Sequence, residues 1–188
     1  MIIWIDGAYG IGKTSVALKV KDGFQDDEVA FLESDCYFQK MMKDIIEEAQ
    51  KNNCFPAIGG TFPQNNIRFI EMFKKEIEEK EKGNKKVLVD MALTQKECME
   101  NLFYYFVNSK RNVLHFILTA DEEIIKSRIK NDSTRDKQAA LDYLVENITF
   151  LKQNFSDAIR IKTDNRSTDE IANEIIKIIE SVEETKHC

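Results

Sequence analysis

The run Gly7-Ala8-Tyr9-Gly10-Ile11-Gly12-Lys13-Thr14 constrains this chain more than any other stretch. It has the spacing G-x-x-x-x-G-K-S/T of a phosphate-binding loop. The flanks agree with the motif. Ile2, Ile3, Trp4 and Ile5 form a short apolar run of strand type, and Val16, Ala17, Leu18 and Val20 follow with helix-compatible residues. Gly7, Gly10 and Gly12 admit positive φ and put no Cβ between a phosphate and the main chain. Successive N–H groups and the positive end of the next helix then form an anion nest. The expected ATP-binding set is Gly7, Ala8, Tyr9, Gly10, Ile11, Gly12, Lys13, Thr14 and Ser15. Within it, Lys13 should reach the β- and γ-phosphates and the Thr14 hydroxyl should bind Mg²⁺.

Beyond the loop, strand-like and helix-like patterns alternate. Val29–Leu32, Val87–Val89, Val113–Leu118 and Ala158–Ile161 are further strand candidates. Phe38, Met42, Ile45 and Ala49 recur at helical spacing, as do Phe69, Phe73 and Ile77, then Cys98, Leu102 and Phe106. Two helical stretches cover Glu122–Ile129 and Lys137–Phe155, and Ile171, Ile175, Ile178 and Val182 stripe the last helix. Near-continuous apolar strands separated by helices predict an α/β fold: a five-stranded parallel sheet in a three-layer α/β/α arrangement. No repeat or hinge-like linker divides residues 1–188, so a single domain is expected.

Ligands of such sheets sit beyond the carboxyl ends of the strands, which selects the polar residues to weigh. Asp90 closes the strand Lys86–Val89 and is the expected metal partner of Thr14, with a turn or helix cap as the structural reading. Glu33-Ser34-Asp35 closes the second strand. Asp35 is the candidate for taking a proton from an acceptor hydroxyl, and equally a candidate helix N-cap, with Glu33 behind it. Arg128 and Arg135 follow the fourth strand and are candidates for neutralising charge over the γ-phosphate, against a solvated helix face. Gly59 to Asn66, rich in amides with Phe62 and Pro63, is read as an acceptor pocket or as an ordinary loop with Pro63 in the first turn of a helix. His115 lies inside an apolar strand and reads as a core histidine. Asp164-Asn165-Arg166 reads as an adenine edge or as a loop capped by Ser167-Thr168.

Composition excludes more than it selects. Thirty-three acids against 27 Lys and Arg give a net charge of −6, without the basic footprint of a general nucleic-acid binder. No apolar run is long enough to span a bilayer, and the last helix carries no polybasic anchor. Cys36, Cys54, Cys98 and Cys188 are scattered, which suits reduced thiols in a cytoplasmic protein rather than a disulfide framework. ATP and a small-molecule acceptor are the expected partners, with a monomer or homodimer.

With Met1–Thr14 in view, the chain resembles the tunicamycin-resistance-protein family of small P-loop ATP-binding proteins. The likeness continues through Val87–Thr94, His115–Ala120 and Ile161–Asn165. It implies the fold of small-molecule and nucleotide kinases, with a mobile Arg-bearing lid, here about residues 121–147. Two departures stand out: Asp6 where the family often has Asn, and Asp90 where founding members have proline. The restored acid favours Mg²⁺-dependent phosphoryl transfer to a small hydroxylated molecule, such as a nucleoside or nucleoside-like antibiotic. ATP-dependent sequestration of a toxic ligand without transfer is the alternative, and an NTPase driving a protein partner ranks last.

Overall fold

The computed structural model describes residues 1–56, 63–83, 85–132 and 137–185. Its five strands are β1 (Ile2–Asp6), β2 (Val29–Glu33), β3 (Lys86–Asp90), β4 (Val113–Thr119) and β5 (Ile159–Lys162). They form one sheet in the order β2-β3-β1-β4-β5, and every neighbouring pair is parallel. The expected parallel sheet is therefore present.

Successive side chains of a strand point to opposite faces, and both faces here are covered. Ile2 and Trp4 of β1 join one core, packed with Met41 and Ile45 of α2 (Ser34–Lys51) and with Phe69 and Phe73 of α3 (Ile67–Lys82). Ile3 and Ile5 join the other. There they meet Val16 and Val20 of α1 (Lys13–Asp22) and Ile171 and Ile175 of the final helix, Thr168–Glu184. Two buried faces are why the strands read as apolar runs rather than as alternating patterns.

Three local departures from the sequence pattern shape the site. The stretch carrying Cys98, Leu102 and Phe106 is not one regular helix. Between α4 (Lys96–Cys98) and α5 (Tyr104–Asn108) lies a π turn, Met99–Phe103. Its extra residue lets both Leu102 and Phe103 face inward, and the Phe103 ring lies 5.4 Å from Trp4 and 4.6 Å from His115. The long helical stretch after α6 (Glu122–Asn131) is split at Tyr143 into α7 (Lys137–Asp142) and α8 (Leu144–Asn154). Pro63 opens a separate 3₁₀ turn, Pro63–Asn65, rather than the first turn of α3. That helix is capped by Asn66, whose side chain accepts from the N–H groups of Arg68 and Phe69. Gly59 to Phe62 lie outside the described residues.

Register sets up the chemistry. Glu33 pairs with Asp90, Asp90 with Ile5, and Asp6 with Ile117. The carboxyl ends of four adjacent strands thus finish level with the phosphate-loop motif.

Candidate nucleotide and acceptor site

The loop from β1 to α1 has the backbone its glycines permit. Gly10 has φ 77° and Gly12, the residue before α1, has φ 100°. Gly10 is needed twice over, because a Cβ there would collide with Ile129 Cγ1 on α6. At Gly12 a Cβ would meet nothing within 4 Å, so its requirement is conformational only. Lys13 Nζ donates to the Ala8 carbonyl at 3.2 Å and lies 5.6 Å from the centroid of the Tyr9 ring. The side chain thus folds back over its own loop.

Thr14 and Asp90 stand in the wall of one small cavity over the loop. Asp90 is only 3% exposed. Burial pushes its carboxyl above the ordinary value, Lys13 and the Thr14 hydroxyl pull it back, and Glu33 and Asp35 add to the rise. A hydroxyl and a buried carboxylate beside two further carboxylates are hard oxygen donors of the kind Mg²⁺ takes. Among the described residues no three His, Cys, Asp or Glu form a self-contained metal cluster. Mg²⁺ needs no such cluster, because one or two protein oxygens with phosphates and water complete its shell. Thr14 and Asp90 therefore fit Mg²⁺.

In the sequence Asp6 stands out only as a departure from the family pattern, with no role attached. In the fold it is fully buried, and its Oδ1 accepts from the N–H of Gly7 at 2.6 Å and of Leu93 at 3.0 Å. Oδ2 lies 2.9 Å from His115 Nε2. One carboxyl group therefore ties together the start of the phosphate loop, the segment after Asp90, and β4. His115 is the core histidine expected, with its ring 4.6 Å from that of Phe103 and 4.8 Å from that of Phe155.

The two arginines weighed for the γ-phosphate differ in what the structure describes. Arg128 is held by three hydrogen bonds. Its Nη1 donates to the Ile11 carbonyl at 3.1 Å and to Thr163 Oγ1 at 2.9 Å, and Nη2 donates to the Thr163 carbonyl at 3.0 Å. The guanidinium braces the back of the loop against the connection that follows β5. Its rigid fork of donors suits that two-sided grip. Arg135 lies outside the described residues. Of the stretch Asp164-Asn165-Arg166, Asp164 accepts the Asp121 N–H at 2.8 Å, which chiefly holds its carboxyl below the usual value. Arg166 bonds the Lys162 and Glu170 carbonyls and the Glu174 carboxylate, and Ser167 and Glu170 form a capping box for the last helix. Helix entry accounts for these contacts.

Asp35 is not the N-cap. Glu33 occupies that position, and Asp35 sits exposed in the first turn of α2. From there it lines two adjoining cavities. The smaller, about 210 Å³, is walled by Gly10, Gly12, Lys13, Thr14, Ser15 and Asp90 among others. The larger, about 580 Å³, extends between α2, the 3₁₀ turn and the α7–α8 segment. Tyr9, Glu33, Ser34, Asp35, Gln64 and Met91 line both. Asn147, a wall residue missed in the sequence, had left a signal. It sits between Leu144 and Leu151 on the buried stripe of α8, a polar side chain where an apolar one packs best.

Several solved structures share the fold. The tunicamycin resistance protein of Deinococcus radiodurans superposes with TM-score 0.68 at 19% identity, covering 95% of this chain and 94% of that one. A gluconokinase from Sinorhizobium meliloti gives 0.66 at 11% identity, over 98% and 94%. The APS kinase of Mycobacterium tuberculosis, in complex with AMPPNP and APS, gives 0.57 at 15% identity, over 95% and 96%. No curated protein matches the sequence. A family model described as AAA domain matches residues 2–155, most of the chain, and the chain belongs to that family, with the P-loop kinase-like fold.

Proposed function

We propose that the protein is an ATP- and Mg²⁺-dependent phosphotransferase acting on a small hydroxylated molecule. One observation carries the reading: the cavity over the phosphate loop and the larger cavity beside it share the wall containing Glu33, Asp35 and Gln64. A donor phosphate in the first and an acceptor hydroxyl in the second meet at carboxylates.

Lys13 and the loop N–H groups hold the phosphates, and Lys13 exchanges its bond to the Ala8 carbonyl for phosphate oxygens. Thr14 and Asp90 hold Mg²⁺, which when bound offsets the charge of the phosphates. Asp35 orients the acceptor hydroxyl and takes its proton as the oxygen bonds to the γ-phosphorus. The bond to the bridging oxygen breaks, leaving ADP and a phosphate ester. Arg135, within the proposed lid of residues 121–147, neutralises charge on the transferring group, and Arg128 keeps the loop in place from behind. Catalysis is then mostly positioning and preorganised charge.

A test incubates nucleosides, nucleoside antibiotics and aminoglycosides with ATP, Mg²⁺ and either the protein or its Lys13→Ala variant, and reads products by mass spectrometry. A phosphate-sized mass gain that falls about 100-fold or more in the variant supports transfer. A gain unchanged by Lys13→Ala removes Lys13 from the reaction. The second reading, ATP-dependent sequestration, draws on the name of the Deinococcus radiodurans structure. It is favoured by ATP-dependent retention of one compound with no product.

A further inference from the structure

The larger cavity has a chemical bias that its role as an acceptor site does not by itself require. No Lys, Arg or His is among the described residues that line it. The charged side chains in its wall are the carboxylates Glu33 and Asp35, both toward the phosphate loop. Elsewhere the wall is aromatic or amide-bearing. Phe38 and Phe69 meet edge to face at 6.2 Å, and Gln39, Gln64, Gln95 and Asn147 present amides.

Gln64 shows how these amides are set. Its Oε1 accepts the backbone N–H of Thr94 at 3.3 Å, and a backbone N–H can only donate. That fixes which end of the amide is engaged and leaves the Nε2 hydrogens to a ligand. Neutral amide donors suit carbonyl and hydroxyl oxygens. A ligand carboxylate or phosphate entering this cavity loses its hydration, meets no cation among the described wall residues, and approaches two like charges.

We infer that the acceptor is an alcohol without negative charge, neutral or cationic, that lays a flat or apolar portion against the Phe38–Phe69 wall. The inference takes the word acceptor from the phosphotransferase reading, whereas its charge rule rests on the cavity alone. Phosphorylated and carboxylated alcohols are thereby excluded as substrates. Exclusion by unpaired like charges is how binding sites most cheaply reject a wrong partner.

The test separates binding from transfer. With Mg²⁺ and AMPPNP filling the phosphate site, equilibrium binding is measured for two matched sets of probes. One is uridine, orotidine and a uridine carrying an aminomethyl group on its base. The other is benzyl alcohol bearing a para hydroxymethyl, carboxylate or aminomethyl group. The neutral and cationic members should bind about tenfold or more tightly than the carboxylate of their set. Gln39→Arg and Gln95→Arg place a cation in the wall and should narrow or reverse that order. A carboxylate that binds the native protein as well as its neutral partner overturns the inference, and so does binding by none of the six. The same probes are then given ATP. The expected binding order without phosphorylated product leaves the charge rule standing and removes the transfer reading. Phosphorylation of the carboxylate as fast as its neutral partner does the reverse.

Discussion

Asp6→Ala tests how the phosphate loop is held. Removing the carboxyl leaves the Gly7 and Leu93 N–H groups without an acceptor, and both are buried where they meet it. Each orphaned donor costs about 1–3 kcal/mol, so the two amides alone account for about 2–6 kcal/mol. His115 Nε2 loses its partner as well. At roughly 2–4 °C per kcal/mol for a chain of this size, the melting temperature should fall by at least roughly 4 °C. Urea unfolding followed by the fluorescence of Trp4 is a natural assay. Trp4 is the single tryptophan, it is fully buried, and its indole donates to the Met91 carbonyl at 3.2 Å, one residue past Asp90. Asp6→Asn is the control. An amide oxygen keeps the Gly7 and Leu93 bonds, and its NH₂ can donate to His115 Nε2 once that ring carries its proton on Nδ1. Asn should therefore lose less than half of what Ala loses. The reasoning fails if Ala unfolds within about 0.5 kcal/mol of the parent, or if Asn is as damaging as Ala.

The other perturbations separate roles that share one small region. Gly10→Ala should cost about 2–5 kcal/mol, the left-handed backbone adding to overpacking against Ile129, whereas Gly12→Ala should cost only about 1–2 kcal/mol. Equal melts for the two would refute the close approach of α6. Arg128→Met strips the grip on Ile11 and Thr163 and should lower stability by about 1–3 kcal/mol while weakening nucleotide binding in titration calorimetry; parental values in both would return Arg128 to a solvated face. Asp90→Asn should act in opposite directions with and without Mg²⁺. Because burial raises the Asp90 carboxyl in the fold, its contribution to stability is full below the unfolded value of about 3.9 and is lost as the pH rises through the higher folded value. The metal-free Asn variant should thus melt above the parent near neutral pH, with the gain vanishing on acidification, yet bind Mg²⁺ and ATP more weakly. A variant less stable than the parent near neutral pH in the absence of metal would refute that sign.

What the sequence reveals here follows the range of the interactions. The glycine spacing is a local requirement, and the apolar runs report burial on both faces of the sheet, so the loop, the five strands and Asp90 at a strand end were legible without a structure. Asp35 was legible as a strand-end acid but not as a first-turn residue, because Glu33 and Asp35 compete for the cap and only the backbone decides. Asp6 was not legible at all. Its partners Leu93 and His115 lie 87 and 109 residues away, and nothing in Ile5-Asp6-Gly7 announces them. Phe103 was hidden by the π turn, which breaks the periodicity that a helical reading depends on.

Arg128 shows the same limit from the other side. Its residue type and its place after β4 suit both charge neutralisation and a structural brace, and a guanidinium reaches far enough for either. The choice falls to whichever acceptors the fold leaves open. Ile11 sits in the loop ahead of α1 and Thr163 follows the last residue of β5, so both carbonyls lie where regular pairing ends. Buried carbonyls at such ends require donors. Arg128, one turn from the end of α6 and next to the Ile129 side chain that packs on Gly10, is the donor within reach of both. A loop built to hold phosphate with its front has to be held from behind, and Arg128 supplies that hold through Ile11 and Thr163.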